Sequence, residues 1–181
     1  MNTNSDYFDV NRIALLAILT AFVTVGRVAF ALPILPNIQP MTALLILITL
    51  NIGIIDGLVV SVLSMLLTNL MISMGPWTLF QMLSFAAIIL LTGIVKYFYS
   101  FGTLRNRLFF SVWALLTGYI YGFIISVLTY YLYGMSNFIV YYLNGLAFDT
   151  LHAVGNLIFF LILEPILVPI IRKRFNGISL K

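Results

Sequence analysis

Apolar segments recur along almost the whole chain, and this recurrence limits the possible fold more than any other feature. A helix needs about 20 apolar residues to cross the hydrocarbon core of a bilayer. Hydrophobic residues make up 62% of the 181-residue chain and charged residues 8%, whereas about a quarter of the residues in soluble domains are charged. We therefore predict an all-α integral membrane protein with a single membrane domain, residues 1–181.

Polar, proline and glycine residues between the apolar segments predict a bundle of six transmembrane helices. The predicted spans are Ile13–Leu32, Met41–Ile55, Gly57–Met74, Thr78–Phe98, Leu108–Tyr133 and Gly145–Ile171. Met41–Met74 can also be read as one long interrupted span. That alternative gives five helices and places the two termini on opposite sides of the membrane.

The basic residues favour six spans over five, because Lys and Arg in short loops concentrate on the cytoplasmic side. Six spans place eight of the nine basic residues on that side. These residues are Arg12, Lys96, Arg105, Arg107, Arg172, Lys173, Arg174 and Lys181. Five spans would place the basic loop 96–107 and the basic tail 172–181 in opposite compartments. We therefore predict that both termini are cytoplasmic and that the net positive charge reflects topology rather than nucleic-acid binding.

The three connections on the predicted outer side contain no Lys or Arg and are rich in polar and aromatic residues. They are Pro33–Pro40, Gly75–Trp77 and Gly134–Asn144. The prolines of the first connection exclude a helix there, because each restricts its own φ and lacks a backbone N–H. We expect the three connections to cover a cup between the helices, where Trp77, Tyr141 and Asn144 are the candidates for contact with a ligand. Interfacial packing is the alternative role for the aromatic residues.

Arg27 lies in the outer part of the first span, and an intramembrane arginine usually faces a cavity or a partner. It is expected to contact an anionic or carbonyl-rich ligand, to pair with Asp149 when no substrate is bound, or to reach the outer surface. Asp149, His152 and Asn156 share one face of the last helix. They are expected to form a wall of the pocket, with helix-packing hydrogen bonds as the alternative. A metal site is not expected, because His152 has no second His or Cys beside it.

The first helix carries two pairs of small residues four positions apart, Ala17 with Ala21 and Thr20 with Thr24. Such pairs let another helix approach closely in lipid, either from a partner or from the same chain. The chain has no P-loop, no HExxH and no Gly-x-Ser-x-Gly motif, so we expect neither ATP hydrolysis nor ordinary hydrolytic catalysis. No catalytic residue and no permanently bound cofactor is predicted.

Three phrases of the chain resemble the S components of energy-coupling factor (ECF) transporters. They are Gly26-Arg27-Val28-Ala29-Phe30, Pro36-Asn37-Ile38-Gln39-Pro40-Met41-Thr42 and Gly75-Pro76-Trp77-Thr78-Leu79-Phe80-Gln81-Met82. Together with six spans in a chain of this length, they are most similar to the cobalamin-specific branch. The resemblance implies a multi-pass subunit of a prokaryotic plasma membrane that captures a vitamin from outside.

The resemblance also implies the partners and the transport step. The subunit would dock through Ala17 and Ala21 onto a transmembrane coupling subunit carried by two ATPase subunits, and would then topple to release its substrate inward. By position, the resemblance implies a pocket formed around Arg27, Asn37, Gln39, Trp77, Gln81 and the residues from Asp149 to Asn156. Cobalamin would suit a wide cup lined by amides, aromatics and one arginine, whereas pantothenate would place its carboxylate against Arg27. Two other classes remain open: a membrane enzyme or sensor that uses Asp149, His152 and Asn156, and a structural assembly subunit.

Overall fold

The computed structural model describes residues 10–30 and 37–175, with side chains as far as residue 173. These residues form six α-helices and contain no strand. The helices are α1 (Val10–Ala29), α2 (Met41–Asn51), α3 (Ile54–Ile72), α4 (Pro76–Val95), α5 (Leu104–Tyr133) and α6 (Phe138–Phe175), and a short 3-10 helix (Lys96–Phe98) follows α4. Five of the described helices are long and apolar enough to cross a membrane, and α2 is the exception.

The contacts between helices show which of them run in the same direction. Arg12 pairs with Asp56 where α1 and α3 begin, and Arg27 hydrogen-bonds to Asn69 near the ends of both helices. The two helices are therefore parallel, and the chain between them has to return across the bundle. The return includes α2, whose 11 residues span roughly 16 Å at the helical rise. Whether α2 counts as a sixth membrane span stays a prediction.

The central position of α2 explains how so short a helix is accommodated. Every residue from Met41 to Leu50 is buried, at most 3% exposed. An α-helix that is apolar on all sides is expected in the interior of a bundle, and α2 packs against all five of the other helices. The surrounding helices thus form the outer surface of the bundle around α2.

Several helix boundaries differ from the sequence prediction by two to four residues, and the start of α6 differs by seven. The predicted outer connection Gly134–Asn144 is mostly helical, because α6 begins at Phe138 instead of Gly145. The Asn137 side chain accepts a hydrogen bond from the Val140 backbone N–H, which caps the first turn of α6. Tyr141 and Asn144 therefore lie on a helix. The second helix is shorter than predicted, because α2 ends at Asn51 rather than at Ile55.

One end of the bundle, here called the basic end, holds all the Lys and Arg side chains of the described part of the chain except Arg27. Arg107 donates from Nε to Glu164 Oε2 at 2.8 Å, where Glu164 is 1% exposed. The Tyr99 hydroxyl donates to the other carboxylate oxygen. Burial raises the pKa of Tyr99 to about 12, so this phenol stays protonated and remains a donor. The opposite end is called the cavity end.

Replacing Arg107 with Met is expected to lower the free energy of unfolding by about 1.5–3 kcal/mol, because Glu164 is left buried without its charged partner. The double variant Arg107→Met/Glu164→Leu should recover much of this loss, since no buried charge remains. Thermal unfolding of the purified protein in detergent measures both effects. Arg105→Met, at an exposed position of the same end, serves as the control. A double variant that is less stable than Arg107→Met would contradict the explanation.

Candidate functional site

A cavity of about 450 Å³ lies at the cavity end, between the first turns of α4, the second half of α5 and the first turns of α6. Its size falls within the range of about 300–1,000 Å³ that is typical of small-molecule sites. Six of the ten residues that the sequence predicted for substrate binding contribute to its lining. They are Asn37, Trp77, Gln81, Tyr141, Asn144 and Asp149.

The helix ends explain why these residues meet. Asn37 lies just before α2 with a positive φ of 65°, a conformation that asparagine tolerates better than most residues. Pro76 occupies the first position of α4, where its missing N–H costs nothing, and Trp77 and Gln81 follow within the next turns. Tyr141 and Asn144 come from the start of α6. The cavity thus combines a loop residue with side chains from two helix beginnings.

Asp149 is the only Asp, Glu, His, Lys or Arg in the described lining. It is 9% exposed, and its Oδ2 atom has no hydrogen-bond partner among the described residues. A buried carboxylate without a partner is costly. A carboxylate that lines a cavity in this condition is suited to receive a hydrogen bond or a positive charge from a ligand.

The predicted pairing of Arg27 with Asp149 is wrong for this structure. The Arg27 guanidinium is buried between α1 and α3, where Nη1 donates to Thr68 Oγ1 and, at 3.0 Å, to Asn69 Oδ1. Met65 Sδ lies 3.5 Å from the same nitrogen. Arg27 forms no ion pair with any described residue and is absent from the described lining of the cavity. An anionic ligand in the cavity would therefore not meet Arg27 directly.

His152 and Asn156 lie deeper in the bundle than Asp149, outside the described lining. His152 is 2% exposed, shares a hydrogen bond of 2.8 Å between its Nε2 and Thr42 Oγ1, and packs edge to face on Tyr121. Asn156 is fully buried, and neither of its amide atoms has a partner among the described residues. His152 thus joins α2 to α6 as a packing residue. No cluster of His, Cys, Asp or Glu suited to a metal ion occurs in the described part of the chain.

Gln39 is half-buried outside the described lining, whereas six further residues line the cavity without having been predicted. They are Tyr121, Gly122, Ile125, Ser126, Gly145 and Phe148. Four of them lie on α5, for which the sequence analysis predicted a membrane span and no ligand-binding residue. The spacing Gly118-x-x-x-Gly122 was an available signal, because small residues four apart bring membrane helices close together. A Cβ at Gly118 would meet the Ala153 backbone, and one at Gly122 would meet the Asp149 carboxylate.

The two small-residue pairs of α1 point in different directions. Thr20 and Thr24 are buried, and the Thr20 carbonyl accepts a hydrogen bond from Ser64 on α3. Ala17 and Ala21 are exposed. The threonine pair therefore packs within the chain, and the alanine pair forms a small-residue surface that the rest of the described chain leaves uncovered.

Comparison with known proteins agrees with this architecture. The family model for the substrate-specific component of ECF transporters matches residues 11–168, a range that contains nearly the whole helical bundle and all the described residues of the cavity. No curated protein and no solved structure gave a significant match. This multi-pass membrane protein, an all-helical bundle with a polar cavity at one end, belongs to the family of ECF transporter substrate-specific components.

Proposed function

We propose that the chain captures a vitamin from outside in the cavity described above and delivers it inward after docking on an ATP-driven coupling module. The cavity end would then face outward and the basic end the cytoplasm, as the distribution of Lys and Arg favours. The observation that carries the proposal is the buried Asp149 carboxylate, which lines the cavity and has an oxygen without a partner.

The lining favours a ligand that is rich in hydrogen-bond donors and acceptors and has no anionic group facing Asp149. Amides come from Asn37, Gln81 and Asn144, and aromatic surfaces from Trp77 and Tyr141. Cobalamin remains the first candidate, because its primary amides can donate to Asp149 and accept from the side-chain amides. A cavity of about 450 Å³ would enclose one part of so large a molecule, and the rest would extend past the cavity end.

Pantothenate is the second candidate and is less well supported. Its carboxylate was expected to meet Arg27, but Arg27 lies outside the described lining and its Nη1 is already hydrogen-bonded to α3. The only charged group that a pantothenate would meet in the described lining is Asp149, which has the same sign of charge. Coulomb repulsion at short range in a partly buried site disfavours such a pair.

The test is equilibrium binding of labelled cyanocobalamin and labelled pantothenate to the purified wild type and to Asp149→Asn. We expect cyanocobalamin to bind and Asp149→Asn to weaken its binding by at least about tenfold, because a hydrogen bond to a charged group contributes about 1.5–3 kcal/mol. Thr150→Ala is the control, since Thr150 is exposed on the adjacent position of α6. A folded wild type that binds neither vitamin would contradict the assignment to these substrates, and equal affinities in wild type and Asp149→Asn would contradict the role of Asp149.

A further inference from the structure

A buried hydrogen-bond chain runs from Arg27 to the edge of the cavity. Arg27 Nη1 donates to Asn69 Oδ1 at 3.0 Å. Asn69 Nδ2 then donates to Thr78 Oγ1 at 3.0 Å and to Gln81 Oε1 at 2.8 Å. Gln81 lines the cavity, whereas Arg27 and Asn69 do not. This hydrogen-bond chain connects α1, α3 and α4.

The direction of every bond in this chain follows from chemistry. A guanidinium has five N–H donors and no acceptor, so the Asn69 atom that faces Arg27 has to be the oxygen. Both hydrogens of Asn69 Nδ2 are then committed, one to Thr78 and one to Gln81. Gln81 can meet Nδ2 only with its oxygen. In an isolated side-chain amide the oxygen and the nitrogen could exchange places. Here the exchange is excluded, because the hydrogen-bond chain begins at an arginine, which can only donate.

The consequence at the cavity is the polarity of the Gln81 side chain. Its Oε1 atom is occupied by Asn69, so the Nε2 group is left for Tyr121, with which Gln81 also interacts, and for a ligand. Nε2 can only donate hydrogen bonds. This side of the cavity therefore presents a donor, whereas Asp149 on α6 presents an acceptor.

We propose that Arg27 is a positioning residue that acts through Asn69 to hold the Gln81 amide with its N–H groups toward the substrate, so that the site selects a hydrogen-bond acceptor, such as an amide carbonyl, at that point. This inference rests on the proposed function of the cavity. It also accounts for an arginine that is buried in a membrane helix, where a cation is costly, without an ion pair among the described residues. A neutral amide in place of Arg27 could either donate or accept a hydrogen bond. The guanidinium can only donate, so it determines which atom of Asn69 faces it.

The first test needs no ligand. The chain has two glutamines, Gln39 and Gln81, so protein labelled with ¹⁵N-glutamine gives two side-chain NH₂ signals, and Gln81→Met identifies one of them. In Asn69→Asp the carboxylate still accepts from Arg27 but cannot donate, so Gln81 should turn and donate to it. We expect a downfield proton shift of the Gln81 NH₂ signal and an unchanged Gln39 signal. An unchanged Gln81 signal in a folded variant would overturn the inference.

The second test is a double-mutant cycle on the affinity for labelled cyanocobalamin. Asn69→Asp should weaken binding about tenfold in the wild-type background and less than about twofold in the Gln81→Met background, because its effect passes through the Gln81 amide. Asn106→Asp, at the basic end, is the control for adding an acid. Equal losses in both backgrounds would show that Asn69 acts by another route and would overturn the inference. If the wild type does not bind cyanocobalamin, the proposed substrate fails, while the glutamine signals still decide the orientation of Gln81.

Discussion

Replacing Ala17 or Ala21 with tryptophan is expected to abolish vitamin uptake while vitamin binding to the isolated subunit stays unchanged. Both alanines are exposed on α1, and small residues four apart permit the close approach of another helix. The bulky tryptophan side chain would prevent a partner helix from approaching α1 closely. The alanines lie far from the cavity, which none of the described residues of α1 lines. Binding is measured on the purified subunit, and uptake in vesicles that also contain the coupling module.

The control for this experiment is Leu116→Trp on α5, a position that is 47% exposed and is not part of the proposed docking surface. It should bind vitamin and support uptake like the wild type, since its added bulk faces lipid. A second control, Thr24→Trp, should instead destabilise the subunit, because Thr24 is buried. Normal uptake by both alanine variants would mean that the docking surface lies elsewhere on the bundle.

Charge asymmetry and loop composition were sufficient to predict where the cavity lies. The described Lys and Arg side chains other than Arg27 collect at one end, and the cavity lies at the other. Trp77 and Gln81 follow the Gly75-Pro76 turn, and Asn37 precedes the buried start of α2. In a bundle whose successive helices run in opposite directions, these positions lie at the same end. This part of the site depends on topology alone, which the spacing of apolar segments determines.

The partners of Arg27 depend on something that apolar spacing does not determine, the rotation of each helix about its axis. Opposite charge suggested Asp149, but the rotation of α1 that buries Thr20 and Thr24 also carries Arg27 to Asn69 on α3. The threonines at positions three and seven before Arg27 were an available signal, because they place it on the same face. The central burial of α2 was likewise hidden, since a short apolar segment reads the same in lipid and in a protein interior.

We expect Gly118→Leu to lower the stability of the protein and Gly122→Leu to weaken ligand binding, although the two positions lie one helical turn apart on α5. A side chain at Gly118 meets the backbone of Ala153, so α5 and α6 would have to separate. Overpacking of this kind costs about 1–3 kcal/mol and sometimes more, and we expect a clearly lowered unfolding temperature in Gly118→Leu. The atoms nearest to a side chain at Gly122 are those of the Asp149 carboxylate, which can move by rotating about its own bonds.

Gly122→Leu is therefore expected to fold but to lose cyanocobalamin binding by about a hundredfold or more, because the leucine displaces the carboxylate and also fills part of the cavity that Gly122 lines. The unfolding temperature and the equilibrium affinity, measured on both variants, separate the two effects. The comparison is informative because both variants replace a glycine with leucine on the same helix, at positions only one helical turn apart. If Gly122→Leu binds cyanocobalamin like the wild type, the ligand cannot occupy the space between α5 and Asp149, and the cavity would lose its assignment as the binding site even if uptake by the subunit were intact.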